Sequence, residues 1–282
     1  MLLSIEGDEA VGKTTLAYSA PLPIVGFQFD MGADRAIYGG RFNELFQGLD
    51  IAMVPYEPQA EVEPVWQTHD ITVFEVPPPI QLGSVRVKGY NRLWTYFVVR
   101  CAEALSDPAV KTVVIDTMTV ARRVKADAYL ESLQDASFDA KGEPILAKPL
   151  RERLIQIEYG NPNDAIRDIY STAAGLKKNL GVVHHLTDER AELNVKGEIK
   201  QVLTGKRILE GLNHTYRFVD VAMRLTKVSG PTIVGKFLKC GYNLAQEGTS
   251  LNNPTWDAIV DLIDMSSGGR INLDRRNSNE VS

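Results

Sequence analysis

GDEAVGKTT occupies residues 7–15, and the fold of the chain turns on how it is read. Gly7, Gly12, Lys13 and Thr14 fit the spacing Gly-x-x-x-x-Gly-Lys-Ser/Thr at every position. Glycines let a loop curl its backbone N–H groups around a phosphate, and a helix opening at the lysine turns its positive end toward the same point. The spacing carries weight only between a strand and a helix. Both are predicted here: residues 2–6 (LLSIE) are a short apolar strand, and residues 13–20 read as a helix that stops before Pro21. Gly7, Asp8, Glu9, Ala10, Val11, Gly12, Lys13, Thr14 and Thr15 are therefore the expected triphosphate-binding set. Within it Lys13 would reach the β and γ oxygens, and the Thr14 hydroxyl would hold Mg2+.

Such a metal site needs an acid at the end of a neighbouring strand. KTVVIDTMT, residues 111–119, supplies one as an apolar run closing on Asp116, the expected partner of Thr14 at the metal. An acid in this place can also be only a helix cap, and Thr117 stands beside it, so a structural role is the competing reading.

Outward from these two sites, PIVGFQFD (23–30) reads as a second buried strand ending in Asp30, and residues 90–105 and 120–133 read as helices. Apolar strands separated by helices favour a parallel sheet covered on both faces. Residues 50–90 break the pattern: Pro55, Pro58, Pro64 and Pro77–Pro79 surround short β-rich pieces such as DITVFEV, and the stretch reads as an irregular insertion too poor in apolar residues for a core of its own. Residues 135–149 read as a loop. NPNDAIRDIYSTAAGLKKNLG (161–181) is punctuated as a helix, with Asn161 as cap, Pro162 and Asp164 in the first turn, and Lys177, Lys178 and Gly181 at the exit. VVHHL (182–186) returns as a strand. The alternation around Lys196-Gly197 suggests a hairpin or a mobile loop, and residues 219–243 read as two strands joined at Ser229-Gly230-Pro231. NPTWDAIVDLIDM (253–265) repeats the Asn-Pro helix opening and closes a single domain over 1–265, leaving 266–282 as a polar, flexible tail.

Composition narrows the classes. Of 282 residues, 44% are hydrophobic and 24% charged, as in an ordinary globular protein. No run of 18 apolar residues suggests a membrane span, and no signal-peptide pattern opens the chain. The two cysteines, Cys101 and Cys240, lie far apart without CxxC spacing and read as reduced thiols of a cytoplasmic protein, not as a zinc site. At a net charge of −5, any nucleic-acid contact requires a local basic patch.

At this point the chain resembles a known group. GDEAVGKTT looks like the RecA-type loop, which often has a glutamate two residues after its first glycine, as Glu9 is here. GKTTLAYSAP, FDMGADRAIYG, VVIDTMT, NDAIRDIYSTAAGLKKNLGVVHHLTDE, TGKRILEGL, VDVAMRLTK and LNNPTWDAIVDLI, in that order, are similar to the compact RecA-like ATPases encoded by bacteriophages. They span nearly the whole chain outside 50–90 and the tail. The resemblance implies an α/β fold, a RecA-like P-loop NTPase core with a mostly parallel central sheet flanked by helices and β-hairpin additions. It also implies hydrolysis of ATP with Mg2+.

The resemblance places a water-orienting carboxylate just past the second core strand. The usual glutamate would fall on Gly32, a departure that leaves Asp30 as first candidate, Asp34 as second and Glu9 as a distant third. An acid here can equally cap the next helix, and slow hydrolysis or a switch that mainly binds ATP fits the departure. A polar sensor is implied where His184 and His185 end their strand. Alternation lets only one face the nucleotide. His185 is preferred because HLTDE matches the group better; the bland alternative is one buried and one surface histidine.

Members of the group complete their sites from a neighbouring subunit, which implies a homo-oligomeric ring or filament. Lys236, Lys239 or Arg207 would reach across, although lysines at this spacing also protect sheet edges. Single-stranded DNA is the implied partner. Residues 139–156 offer Lys141, Lys148, Arg151 and Arg153, and residues 187–207 offer Arg190, Lys196, Lys200, Lys206 and Arg207, both diluted by glutamates. Arg270, Arg275 and Arg276 of the tail would add phosphate attraction or recruit a single-strand-binding protein. The leading expectation is an ATP-dependent recombination protein of the host-cell cytoplasm, acting in single-strand annealing or strand exchange, with no membrane partner. A replication motor or helicase-loading ATPase is the alternative. A nucleotide or small-molecule kinase is weaker still, since Arg122-Arg123 is the one tight arginine pair in the core.

Overall fold

The computed structural model of the protein describes residues 1–39, 43–57, 65–82, 85–138, 143, 145, 150–195, 198–211, 214–228, 232–271 and 273. Parallel strands need both faces covered, and the runs that form the centre of this sheet are buried along their whole length. In chain order the first six strands are β1 (Leu2–Gly7), β2 (Ile24–Gln28), β3 (Ile51–Val54), β4 (Ile71–Glu75), β5 (Thr112–Asp116) and β6 (Asn179–His184). β7 (Leu186–Val195) and β8 (Glu198–Leu209) form a separate antiparallel ribbon; β9 (Val221–Lys227), β10 (Ile233–Cys240) and β11 (Ser250–Asn252) return to the main sheet. The order is β11-β10-β9-β1-β6-β5-β2-β4-β3. It is parallel from β9 through β3 and antiparallel only at β10 and β11.

Successive residues of a strand face opposite sides, and this sorts the core into two halves. Leu2, Val25, Phe27, Val113, Ile115 and Val182 meet α3 (Tyr90–Ser106), α4 (Met118–Asp135) and α5 (Gly160–Gly175) on one face. Leu3, Ile5, Ile24, Val114 and Val183 meet α1 (Lys13–Tyr18), α2 (Ala33–Tyr38) and α6 (Trp256–Ser267) on the other. The chain is α/β with a large, mostly parallel sheet flanked by helices, as the strand and helix pattern predicts. No described helix is long and apolar enough to cross a membrane.

Several local expectations need correction. Residues 50–90 are not an irregular insertion: β3 and β4 lie inside this stretch and extend the main sheet beyond β2 in parallel register. Pairing with β2 on one side and β3 on the other supplies the burial that the local composition lacks. Pro58 and Pro64 lie outside the described residues. Asn161 does not cap α5, because a 3-10 turn at Gln156–Tyr159 runs straight into the helix and starts it at Gly160. Thr255, not Asn253, caps α6, its side chain accepting from the Ala258 amide at 3.2 Å. Gly181 belongs to β6, and Lys178 Nζ donates to the Asp107 and Val110 carbonyls instead of closing its own helix. The junctions at Lys196-Gly197 and Ser229-Gly230-Pro231 lie outside the described residues, but the strands that flank each pair antiparallel. Residues 274–282 of the tail likewise lie outside.

The place of β4 in the core is testable at Phe74. Its ring stacks on Phe27 with centroids 5.6 Å apart and takes the edge of Trp66 at 5.9 Å, with no surface exposed. Phe74→Ala is expected to cost about 3–5 kcal/mol in urea unfolding. A loss under about 1 kcal/mol would mean that β4 is peripheral.

Candidate active site at the carboxyl edge of the sheet

Parallel register brings the ends of distant segments side by side. Glu6 pairs with His184 and Gln28 with Asp116, so β1, β6, β5 and β2 stop at one edge. The glycine loop follows β1 there. A Cβ on Gly7 would stand 2.6 Å from the Leu225 carbonyl oxygen and 2.8 Å from Val11 Cγ2, so only glycine fits against β9. Ala10 and Gly12 take left-handed conformations, with φ of 56° and 79°, which coils the loop tightly enough for consecutive amides to converge. Inside this coil Lys13 Nζ donates to the carbonyls of Gly7, at 3.0 Å, and Asp8, at 2.5 Å. Burial lowers the Lys13 pKa, while Asp116, Asp30, Asp8 and Glu9 favour its charged form. The helix behind the loop is shorter than predicted, six residues, so its summed dipole is small and the positive field at the loop comes from Lys13 and the loop amides.

Asp116 closes β5 and is buried. Thr14 Oγ1 donates to its Oδ2 at 2.6 Å, across 102 residues of sequence. Thr117 takes the capping role at α4, accepting from the Val120 amide at 3.2 Å, so the Asp116 carboxylate is left for the site. Its Oδ1 is buried with no hydrogen-bond partner. Burial, and then the nearby Asp30 carboxylate, push the Asp116 pKa up to about 7, against the Thr14 hydrogen bond, Lys13 and His185. An orphaned carboxylate oxygen beside a threonine hydroxyl fits a hard cation. Among the described residues no three His, Cys, Asp or Glu side chains gather as a metal cage. Mg2+, the expected ion, takes one or two protein oxygens and fills its shell with phosphate and water.

These groups line one cavity of about 700 Å3, to which the loop contributes Glu9, Ala10, Val11, Gly12, Lys13, Thr14 and Thr15 and the strand ends contribute Asp30, Asp116 and His185. That volume suits a mononucleotide. Asp30 Oδ2 lies 3.7 Å from His185 Nε2, and the His185 amide is anchored to Thr119 Oγ1 at 3.0 Å. His184 points the other way. It is buried at 3.4 Å from the Tyr170 hydroxyl, and burial, with His185 adding to it, depresses its pKa to about 3. The second carboxylate candidate, Asp34, does not line the cavity; in the first turn of α2 it accepts from the Arg35 amide at 2.8 Å.

The structure adds Gly32, Arg35, Ala36, Lys227 and Ile233 to the cavity wall, none of them expected as a site residue from the sequence. Their signal was weak, since each owes its place to α2 or to the β9–β10 pairing. Two of the cations expected to reach across to a neighbour are engaged at home. Lys239 Nζ donates to the Tyr216 and Val219 carbonyls at 2.7 and 2.6 Å. Arg207 pairs with Asp8 of the glycine loop at 3.0 Å and with Asp188 at 3.4 Å. Lys236 is exposed on β10. Behind the loop, Glu6 is fully buried and accepts from Tyr216 Oη at 2.5 Å and from the Arg224 guanidinium, which also donates to the Arg207 carbonyl at 3.2 Å.

Of the expected DNA contacts, Arg190, Lys206 and Arg207 sit on the β7–β8 ribbon and are exposed, Arg151 pairs with Glu158, and Lys141, Lys148, Lys196, Arg275 and Arg276 lie outside the described residues. No family model matches the chain, and no curated protein is significantly similar to it.

The state of Asp116 has a measurable consequence. Without metal, the folded protein keeps this proton up to about pH 7, whereas the unfolded chain releases it near 3.8. Between these values the folded state binds more protons, so the contribution of Asp116 to stability is full below the lower value and is lost as pH rises through the upper one. In EDTA, Asp116→Asn is expected to remove that decline and to melt above the wild type at pH 8. Parallel Tm–pH curves for the two proteins would exclude a protonated Asp116.

Proposed function

We propose that the chain is a Mg2+-dependent ATPase with a RecA-like P-loop core that acts on single-stranded DNA in recombination, by annealing or strand exchange. The reading rests above all on one observation: Thr14 and Asp116 meet at 2.6 Å beside Lys13, with a carboxylate oxygen left unpartnered. Thr14 and Asp116 would hold Mg2+, directly or through water, and the bound ion supplies charge neutralisation on the phosphate oxygens. The loop amides and Lys13 bind the triphosphate. Asp30 is the carboxylate best placed to orient a water, because it shares the cavity with Lys13 and Asp116. His185 then reports the occupant: it faces Asp30 through its ring and leads directly into β7 through its backbone.

The DNA half of the proposal draws on that ribbon. β7 and β8 are 10 and 12 residues long, pair only with each other among the described residues, and stand on the same edge as the cavity. Acidic residues such as Asp188, Glu189 and Glu192 interrupt its basic ones, so phosphate contact there would be few-point and moderately salt-dependent.

Labelled ATP binding and ATP turnover test both halves. The wild type is expected to bind ATP with Mg2+ and to turn it over faster with single-stranded DNA, while Lys13→Ala abolishes turnover. Turnover indifferent to DNA and RNA removes the recombination role, and no Mg2+-dependent uptake of ATP removes the whole reading.

A further inference from the structure

On the assumption that this cavity holds ATP, we propose that Arg35 is its γ-phosphate-binding cation, supplied from within the same chain. Beside the glycine loop, Asp30, Gly32, Arg35 and Ala36 form a second part of the cavity wall. This wall is pinned to the sheet. The Ala33 amide donates to the buried Gln28 side chain at 3.0 Å, and Gln28 lies in register with Asp116. Arg35 follows two residues later, in the first turn of α2, and lines the same cavity as Asp30 and Asp116. A Cβ built on Gly32 would lie 3.5 Å from both Arg35 Nη2 and Asp30 Oδ1, so guanidinium and carboxylate flank the same residue.

Lys13 belongs to the glycine loop and serves the triphosphate from there, while Arg207 is paired with Asp8 and Asp188, and Lys239 donates to the Tyr216 and Val219 carbonyls. Lys227 lines the opposite flank, at the end of β9, which lies beyond β1 from Asp116. Among the described residues the Arg35 guanidinium has no ion-pair partner within 4 Å. The cavity also carries three carboxylates, Glu9, Asp30 and Asp116, whose repulsion of a triphosphate has to be offset at the end where Asp30 and Asp116 converge. A guanidinium suits that end: it stays charged, and its planar fork can grip two phosphate oxygens at once. An arginine supplied in cis is one of the known solutions for phosphoryl transfer. The cation expected from a neighbouring subunit is then not required at the γ position.

The test compares Mg2+-ATPγS and Mg2+-ADP binding by calorimetry, with ATP turnover, in the wild type, Arg35→Ala and Arg35→Lys. Arg35→Ala is expected to bind ADP within threefold of the wild type, to lose the preference for ATPγS over ADP, and to turn over ATP about 1,000-fold more slowly. Arg35→Lys is expected to regain part of the ATPγS preference and little turnover. Mixing Arg35→Ala with Lys13→Ala is expected to restore nothing. An unchanged ATPγS-to-ADP ratio in Arg35→Ala, or equal loss of both ligands, overturns the assignment, and so does recovery of turnover on mixing, which would place Arg35 on a neighbour's nucleotide. A wild type that binds neither nucleotide would instead remove the ATPase reading on which the assignment rests.

Discussion

Thr14 and Asp116 are separated by 102 residues and by one intervening strand, yet their side chains share a hydrogen bond of 2.6 Å. That contact requires β1, β6 and β5 to run parallel and to end level with one another. Parallel strands keep such a register only when both faces of the sheet are dry, because no hairpin turn sets it locally. The two apolar layers therefore do more than stabilise the chain. α3, α4 and α5 on one face and α1, α2 and α6 on the other hold the strand ends in place, and the polar groups of the candidate site project from those ends, from the loops that leave them and from the first turns of α1 and α2.

Burial also sets the electrostatics. Asp116 sits where its charge is costly, next to Asp30 and partly balanced by Lys13 and His185. A cation bound at its free oxygen would relieve that cost, which is why the same environment that raises its pKa suits it to a metal. Lys13 is the mirror case, a buried ammonium that several carboxylates keep in its charged form. Nearby charges are thus coupled, and none of them has an independent role.

The β7–β8 ribbon is tied to the site at both of its roots. β7 leaves from His185, which faces Asp30; β8 ends near Arg207, which pairs with Asp8 of the glycine loop. Behind these, Arg224 connects the Arg207 carbonyl to the buried Glu6 that precedes the loop. Direct contacts thus link the glycine loop to the base of the ribbon.

Much of this site was readable in one dimension. The strand, glycine loop and lysine-led helix are encoded within 18 residues, because phosphate-binding loops depend on local backbone freedom and on fixed spacing. Asp116 was readable because a glycine loop with a metal calls for an acid at the end of a neighbouring strand, and KTVVIDTMT offers one. Strand alternation also says that only one of His184 and His185 can face the cavity. The rest depended on non-local pairing. β3 and β4 looked like a thin insertion until their neighbours in the sheet covered them. That Asp30 and Arg35 line the cavity and Asp34 does not depends on how the start of α2 sits against the sheet, where the Ala33 amide donates to Gln28. Lys239 and Arg207 proved to be committed within their own chain once the carbonyls and carboxylates beside them were in place. Spacing along a chain can specify a loop, but which charges face each other across a cavity is decided by the packing that orients the elements carrying them.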